Sequence, residues 1–571
     1  MNAVLFLFFQ RMRVPLITLI TAYAVATVGF TFIPGVDDQG EPWSMSLFEA
    51  FYVVSYTGST IGFGEVPYPF SPGQRLWTIV SIYLTVIAWL FAISSIIALL
   101  QDPTCRQVIE RARLQRGVRR INEPFYIVCG YGDAGALLTG TLSSRHQRVV
   151  VIDSDRQRID RLTVEDLGAS VPAFCMDARE PAHLIEAGLR SRWCAGVLAV
   201  TGSDQTNLKI AITSKLLNHK AAVYARADKR ATADNMRSFG TDHVLEPGVE
   251  FCRRLRLALT AADTFRLHHW LSSGPHAALP GTQMPPRGRW ILCGYNPLGQ
   301  ALHQTLEALG VSVTVIDDGA RGADLPPGSI HGRGTEAPTL EEADIRSAQA
   351  ILALTRDDAD NLSILVTARD LKSDLFLAAR ENDGSNHLLY EAAELDFIGR
   401  PSLVVAGSIL SQISSPLFQT FIDLIEAEDN EVSARLLQRL GHAAAEGPPQ
   451  LRTVRISHRR APAVSRALDD GEEVLLEALC RDPRRRQALL PVVPLLLSRG
   501  DEHTLCPEPD TALESGDRIL FAGPASSGPQ LDKLLFMDRA LRYVRTGEDH
   551  PEGLLWRRYR DHQNSSRSRV Q

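Results

Sequence analysis

Thr60-Ile61-Gly62-Phe63-Gly64-Glu65 lies between two long apolar stretches, and its reading decides what the first hundred residues build. Glycine tolerates φ > 0, so glycines at alternate positions let successive carbonyls point the same way. Just upstream, Ser46-Leu47-Phe48-Glu49 has the capping-box form and predicts a helix start. That helix runs through Phe51, Tyr52, Val53 and Val54 and stops near Gly58. About 12 residues are too few to cross a hydrocarbon core of roughly 30 Å, so the segment must dip in and return. Non-helical backbone at membrane depth survives only where protein buries it or an aqueous path runs beside it.

The flanks supply the membrane. Val14 to Val36 is 23 residues without a charge, and Leu76 to Leu100 is 25. Each is long enough to span, and the first lacks the short apolar core and cleavage site of a signal peptide. Arg11 and Arg13 precede the first span; Arg106, Arg111, Arg113, Arg116, Arg119 and Arg120 follow the second. Between the spans stand Asp37, Asp38 and Glu41, with no Lys or Arg until Arg75. Positive residues stay inside, so both termini are expected in the cytoplasm of a multi-pass inner-membrane protein. Met1 to Arg13 is expected as a short amphipathic helix along the inner interface. No span is Arg-rich, which excludes a voltage sensor of the usual kind.

Four such loops around an axis would stack rings of carbonyl oxygens in place of an ion's hydration shell. The short helix would aim its partially negative end at the pore, and Glu65 would add a ring of charge at the outer mouth. Thr60 to Glu65 resembles the potassium-channel signature T-V-G-Y-G-D, within a pore unit covering residues 44 to 100. The resemblance implies K+ as permeant ion and a homotetramer embedded in lipid. Three departures stand out. Phe63 lacks the hydroxyl that in the family braces the filter against a pore-helix Trp, and the aligned position is Val53. Glu65 replaces Asp. The second span has no glycine hinge, leaving Ser94, Ser95 or Ala98 to supply slack.

The remaining chain carries a repeat. Phe125-Tyr126-Ile127-Val128-Cys129-Gly130-Tyr131-Gly132-Asp133-Ala134-Gly135 returns as Trp290-Ile291-Leu292-Cys293-Gly294-Tyr295-Asn296-Pro297-Leu298-Gly299. Gly130 to Gly294 and Asp153 to Asp317 are both offset by 164; Arg226 to Arg380 is offset by 154, so the second copy is ten residues shorter mid-domain. Each copy predicts a strand, a glycine turn, a helix, and a second strand ending in an acidic residue. That is the dinucleotide-binding pattern: glycines admit the pyrophosphate at the helix N-terminus and the acid takes ribose hydroxyls. Gly130, Tyr131, Gly132, Asp133, Ala134, Gly135, Asp153, Asp177 and Thr201 form the candidate site. In the second copy Gly294, Asn296, Gly299 and Asp317 form a weaker one, because Asn296 places a Cβ where phosphate would approach.

The two copies resemble RCK domains, regulators of potassium conductance related to TrkA-N proteins, over residues 123 to 525. Met176-Asp177-Ala178 and Thr201-Gly202-Ser203-Asp204-Gln205-Thr206-Asn207 belong to the match. Pro247 to Ser273 and Pro401 to Glu428 resemble the crossover helices through which such domains pair, and residues 451 to 523 resemble the family's C-terminal lobe. The expected fold is a membrane α-helical two-span pore domain plus α/β, with two tandem Rossmann-like RCK domains and a small α+β C-terminal lobe. The expected boundaries are 1–101 for the pore domain, 102–121 for a linker and 122–273 for the first RCK domain. A Pro/Gly linker at 274–288 follows, then 289–441 for the second N-lobe and crossover, 450–525 for the C-terminal lobe, and 526–571 for a polar tail.

The function so implied is a ligand-gated potassium channel. NAD or a related adenine nucleotide is its regulatory ligand; calcium does not follow from the residues. No catalytic constellation is visible: His183, His243, His268 and His269 have no nucleophile or base partner, so no enzymatic role is expected. Eight cysteines show no metal or disulfide spacing. With 60 Lys and Arg against 66 Asp and Glu, a net charge of -6 argues against a nucleic-acid partner. Two alternatives stand beside this reading: a membrane-anchored NAD-dependent oxidoreductase, and the regulatory subunit of a separate K+ transporter.

Overall fold

The computed structural model describes residues 2–101, 103–272, 284–319, 325–443 and 449–548. The chain divides into two compact units, Met1–Asn122 and Glu123–Gln571.

The first unit is helical. Helix α1 (Asn2–Phe32) runs unbroken through Pro15, so the expected interfacial helix is not separate from the first span. Proline lacks a backbone donor, so Pro15 leaves one helical hydrogen bond unmade without ending the helix. Helix α1 ends before Pro34, and β1 (Gly35–Val36) pairs antiparallel with β2 (Pro42–Trp43). Helix α2 (Leu47–Gly58) starts as expected: the Ser46 hydroxyl accepts from Glu49 N–H while the Glu49 carboxylate accepts from Ser46 N–H at 2.8 Å. Helix α3 (Pro72–Gln101) is the second span. The segments apolar and long enough to cross a membrane are Met12–Phe32 and Pro72–Ala98.

Indole donors join the spans: Trp77 Nε1 donates to the Ala26 carbonyl at 3.0 Å and Trp89 Nε1 to Tyr23 Oη at 2.8 Å. Such bonds hold helices together where lipid removes the hydrophobic drive between them. The glycine-free α3 has Ser95 Oγ donating back to the Phe91 carbonyl at 2.7 Å, a contact that favours local bending. The residues expected as a linker include helix α4 (Pro103–Arg119).

The second unit begins with a six-stranded parallel sheet of β3 (Phe125–Cys129), β4 (Arg148–Asp153), β5 (Ala173–Cys175), β6 (Cys194–Ala199), β7 (Ala222–Arg226) and β8 (His243–Leu245), ordered β5-β4-β3-β6-β7-β8. The repeat follows as β9 (Arg289–Cys293), β10 (Ser312–Asp317), β11 (Ile330–His331), β12 (Ala350–Ala353), β13 (Phe376–Arg380) and β14 (Phe397–Gly399), in the equivalent order. In both, the order reverses direction beside the central strand, which opens a crevice at the strand C-termini.

The crossover helices are exchanged between the modules. Phe251, Cys252 and Leu255 of the helix Pro247–Thr260 pack with Trp290, Leu292 and Leu302 of the second module. Val405, Ala406 and Ile409 of the helix Pro401–Ser414 pack with Val128, Leu138 and Leu142 of the first. Pairing within one chain is thus a reciprocal swap. The bent pair Pro401–Ser414 and Leu417–Ala427, at 113°, is apolar enough for a membrane but buries that face inside this unit.

An antiparallel sheet closes the chain, with β15 (Gln450–Arg455), β18 (Val493–Arg499), β19 (Glu502–Leu505) and β20 (Arg518–Gly523) ordered β15-β20-β18-β19. A hairpin of β16 (Arg481–Asp482) and β17 (Arg485–Leu489) projects beside it. The segment expected as a polar tail is partly core: helices Gly528–Phe536 and Asp538–Thr546 bury Leu531, Leu534, Leu535, Leu541 and Val544. Its polar composition conceals an apolar face at helical spacing. The Pro/Gly linker lies outside the described residues apart from 284–288, as does the tail beyond 548.

Candidate functional site: a glycine filter loop and a glycine-rich crevice

Helix α2 packs Ala50, Val53, Val54 and Tyr56 against Ala26 and Phe30 of α1, and delivers the chain to Thr60. From there, left-handed residues alternate: Thr60, Gly62 and Gly64 have φ of 60°, 64° and 95°, and the residues between them do not. Alternation of the two hands turns consecutive carbonyls to one side of the strand. Ile61 and Phe63, each 62% exposed, are uncovered within a single chain. A Cβ added to Gly62 or Gly64 meets nothing within 4 Å, so their requirement for glycine is conformational and not steric.

The brace absent at Val53 comes from elsewhere. Tyr56 Oη donates to the Gly64 carbonyl at 2.6 Å, and the Tyr56 carbonyl accepts from Ile61 N–H at 3.0 Å. The Phe63 ring stacks on Tyr52 at 6.3 Å and meets Tyr56 edge-on at 5.6 Å. Val53 itself is buried. Tyr52 and Tyr56 carry no signal at the position aligned with the family's Trp, which is Val53; their contacts with the loop come from one residue before that position and three after it. Glu65 is not a free charge: Arg75 Nε and Nη2 donate to its two oxygens at 2.8 and 3.0 Å, and Phe70 N–H adds a third bond at 2.8 Å. The ring of charge expected at the mouth is therefore locally neutralised by a bidentate pair.

In the first α/β module, Gly130 (φ 101°) turns the chain from β3 into helix α5 (Asp133–Ser144). A Cβ on Gly130 would lie 3.0 Å from the Thr201 backbone, and one on Gly135 would lie 1.9 Å from the Gly130 carbonyl. These glycines set loop closure. Gly132 is the N-cap of α5 and no side chain caps the helix. Tyr131 N–H donates to one Asp153 oxygen at 2.6 Å and Asp155 N–H to the other at 2.7 Å. Asp153 thus holds the loop and keeps further lone pairs for a ligand. Arg158, which the sequence reading missed, brings Nη1 within 3.6 Å of Asp153 and 3.7 Å of a Cβ built on Gly132. Its only signal was a place one helical turn after the acidic strand end.

Thr201 closes the far side, its N–H and hydroxyl both donating to Asn207 Oδ1 at 3.0 and 2.7 Å. Asn207 Nδ2 in turn donates to the Thr201 and Arg226 carbonyls, tying β6 to β7. Asp133 faces the other module: Gly384 N–H donates to its Oδ2 at 2.9 Å. Ala134 is buried beneath the loop. Asp177 does not face the crevice with a free carboxylate, because Arg179 Nε and Nη2 donate to it at 2.9 and 2.7 Å. That guanidinium holds the Asp177 carboxyl below its ordinary range. Burial pushes the Cys129 thiol up and Cys293 up to about 12, so both are inert packing thiols.

The second crevice repeats the frame and fills it. Gly294 has φ 98°, a Cβ on Gly299 would sit 2.2 Å from the Gly294 carbonyl, and Tyr295 N–H donates to Asp317 at 2.6 Å. Here, however, Asn296 Oδ1 accepts from Leu298 and Gly299 N–H at 3.0 and 3.2 Å, capping the helix Pro297–Ala308. The donors a phosphate would use are already occupied. Among the described residues no group of three or more His, Cys, Asp or Glu is placed to hold a metal ion.

The two folds agree with the comparisons. The ion channel family matches residues 17–102, and the TrkA-N domain matches residues 126–247 and 290–401. An uncharacterized protein of Methanothermus fervidus is 27% identical over 225 residues, 39% of this chain and 34% of that protein. Potassium channel protein 1 of Methanocaldococcus jannaschii is 24% identical over 250 residues, 43% of this chain and 70% of that one. The chain thus spans about a third of the first relative's length and somewhat over two thirds of the second's. Among solved structures, the GsuK channel is 17% identical, covering 93% of this chain and 99% of that one with TM-score 0.47. The GsuK channel bound to NAD is 15% identical, covering 94% and 99% with TM-score 0.46. The chain joins an ion-channel pore unit to two TrkA-N domains. This combination of matches is similar to that of two-span potassium channels that carry RCK domains.

Proposed function

We propose that four copies of this chain surround an axis in the inner membrane and conduct K+ passively through their Thr60–Glu65 loops. Nucleotide bound in the first RCK module gates this flow. The observation that carries the reading is the alternation of left-handed φ at Thr60, Gly62 and Gly64 in a loop whose Ile61 and Phe63 lie exposed. One chain offers one wall of carbonyls and uncovered apolar side chains. Cyclic assembly covers the side chains and completes the rings. The positively charged flanks support a cytoplasmic position for both termini, with lipid around α1 and α3.

The gating ligand is NAD or a related adenine nucleotide, held by the open α5 N-terminus, Gly130, Gly132, Gly135 and Asp153, with Thr201 opposite. It shifts the pore equilibrium only to the extent that it binds one state more tightly. The test is ion flux in liposomes containing the purified protein alone, with K+ or Na+ gradients and a panel of NAD, NADH, ADP and ATP. K+ flux that responds to one nucleotide, and loses selectivity in Gly62→Ala, is the expected result. No flux with any ligand would favour a regulatory subunit, and NADH turnover an oxidoreductase.

A further inference from the structure

The C-terminal lobe contains a cleft of about 1070 Å³ that the channel reading does not use. The β16–β17 hairpin forms one wall, the end of the last described helix the other. Its lining brings five arginines, Arg481, Arg484, Arg485, Arg486 and Arg545, against two glutamates, Glu473 and Glu477. Three of the five are engaged in building it. Arg486 Nε and Nη2 donate to the Val544 and Arg545 carbonyls, both at 2.9 Å, and so dock the hairpin on the helix end. Arg481 Nη2 pairs with Glu477 at 3.0 Å, and Arg545 pairs with Glu472. Arg484 and Arg485 extend from the hairpin turn, both exposed, and neither side chain has an ion pair or hydrogen bond among the described residues. The cleft is therefore pre-formed by three arginines and lined by two more whose forks are free.

We infer that this cleft is a binding site for a small polyphosphate, gripped by the Arg484 and Arg485 guanidiniums. Each fork presents paired N–H donors matched to phosphate oxygens, a fit that a lysine's single ammonium does not reproduce. The surplus of positive over negative lining groups favours a multiply charged anion over a single carboxylate or phosphate. Tyr543, half-buried in the same lining, offers an aromatic face for a nucleoside attached to the chain. The site is separate from the glycine crevice, so the inference does not depend on nucleotide binding there.

The probe is inorganic triphosphate, titrated calorimetrically into the full-length protein in detergent, with ATP as a second arm. Triphosphate should bind, weaken with rising salt, and lose at least tenfold in affinity in the Arg484→Ala/Arg485→Ala double variant. The Arg484→Lys/Arg485→Lys variant, which keeps charge but loses the fork, should fall between the two and guards against a folding defect. If ATP binds the cleft more tightly than triphosphate, the physiological source is a nucleotide; equal affinity identifies the phosphate chain alone. No binding of triphosphate, or binding indifferent to both double variants, would overturn the assignment.

Discussion

Tyr56 Oη donates a 2.6 Å hydrogen bond to the carbonyl of Gly64, eight residues further along the same chain. Helix α2 thereby holds the second glycine of the Thr60–Glu65 loop. Phe63 makes no polar brace but is clasped by the Tyr52 and Tyr56 rings. Tyr56→Phe keeps the ring contacts and deletes only the hydroxyl. A net hydrogen bond contributes about 0.5–1.5 kcal/mol, here once per subunit. The expected outcome is a pore that still conducts but has a lower K+ to Na+ permeability ratio, read from reversal potentials in a bilayer. An unchanged ratio would show that ring packing alone holds the loop.

Gly29 lies beneath Trp77, and an added Cβ would come within 2.1 Å of the indole ring. The same indole donates to the Ala26 carbonyl, so it cannot swing away without losing that bond. Gly29→Ala should destabilise the pore unit by about 1–3 kcal/mol. Thermal dissociation of the assembly on a native gel measures this, and Trp77→Phe in the same chain should recover part of the loss.

How much of this was legible depended on distance along the chain. Ser46 and Glu49 sit three residues apart, so their reciprocal cap could be read directly. The Gly130 and Gly294 turns were equally visible, because strand, glycine and acidic strand end fall within one local unit. Tyr56 was not, since the family resemblance directed attention to Val53, one helical turn earlier. Glu65 seemed free because its partner Arg75 lies beyond a turn, at the start of a span. The crossover helices were legible only through the family resemblance: the apolar face that carries Phe251 and Leu255 reads the same whichever module covers it.

Burial holds the His269 imidazole down at about 4, with the Arg254 charge reinforcing it. An unfolded histidine titrates near 6.5, so between these values the unfolded chain binds the extra proton. The contribution to stability is complete above about pH 6.5 and declines as pH falls toward 4, by about 3 kcal/mol in all. Denaturant unfolding of the wild-type protein and His269→Gln at a series of pH values measures it. The stability gap between the two should shrink by that amount from pH 7 to pH 4. A gap independent of pH would mean the imidazole is protonated in the folded chain.

The two RCK modules should respond unequally to nucleotide, for a reason visible at their helix N-termini. Helix α5 begins at Gly132 with no capping side chain, whereas Asn296 caps its counterpart with two N–H bonds. Asp153→Ala removes an acceptor for ribose hydroxyls and also releases Tyr131 N–H, which it holds at 2.6 Å. Both losses act against the ligand, so binding should weaken by at least about 1.5–3 kcal/mol, the range for a charge-assisted hydrogen bond. Asp317→Ala releases Tyr295 N–H in the same way but removes no ligand contact, so it should lower stability while leaving nucleotide affinity nearly unchanged. Asn296→Gly separates loop geometry from the cap. It frees the Leu298 and Gly299 donors at a cost of a few tenths of a kcal/mol for the lost cap, and should create weak nucleotide binding in the second module. Calorimetric titration of the three variants, paired with single-channel recordings, tests the order. If Asp317→Ala abolished the nucleotide response while Asp153→Ala kept it, the capped module would be the sensor and the open helix N-terminus would have another use.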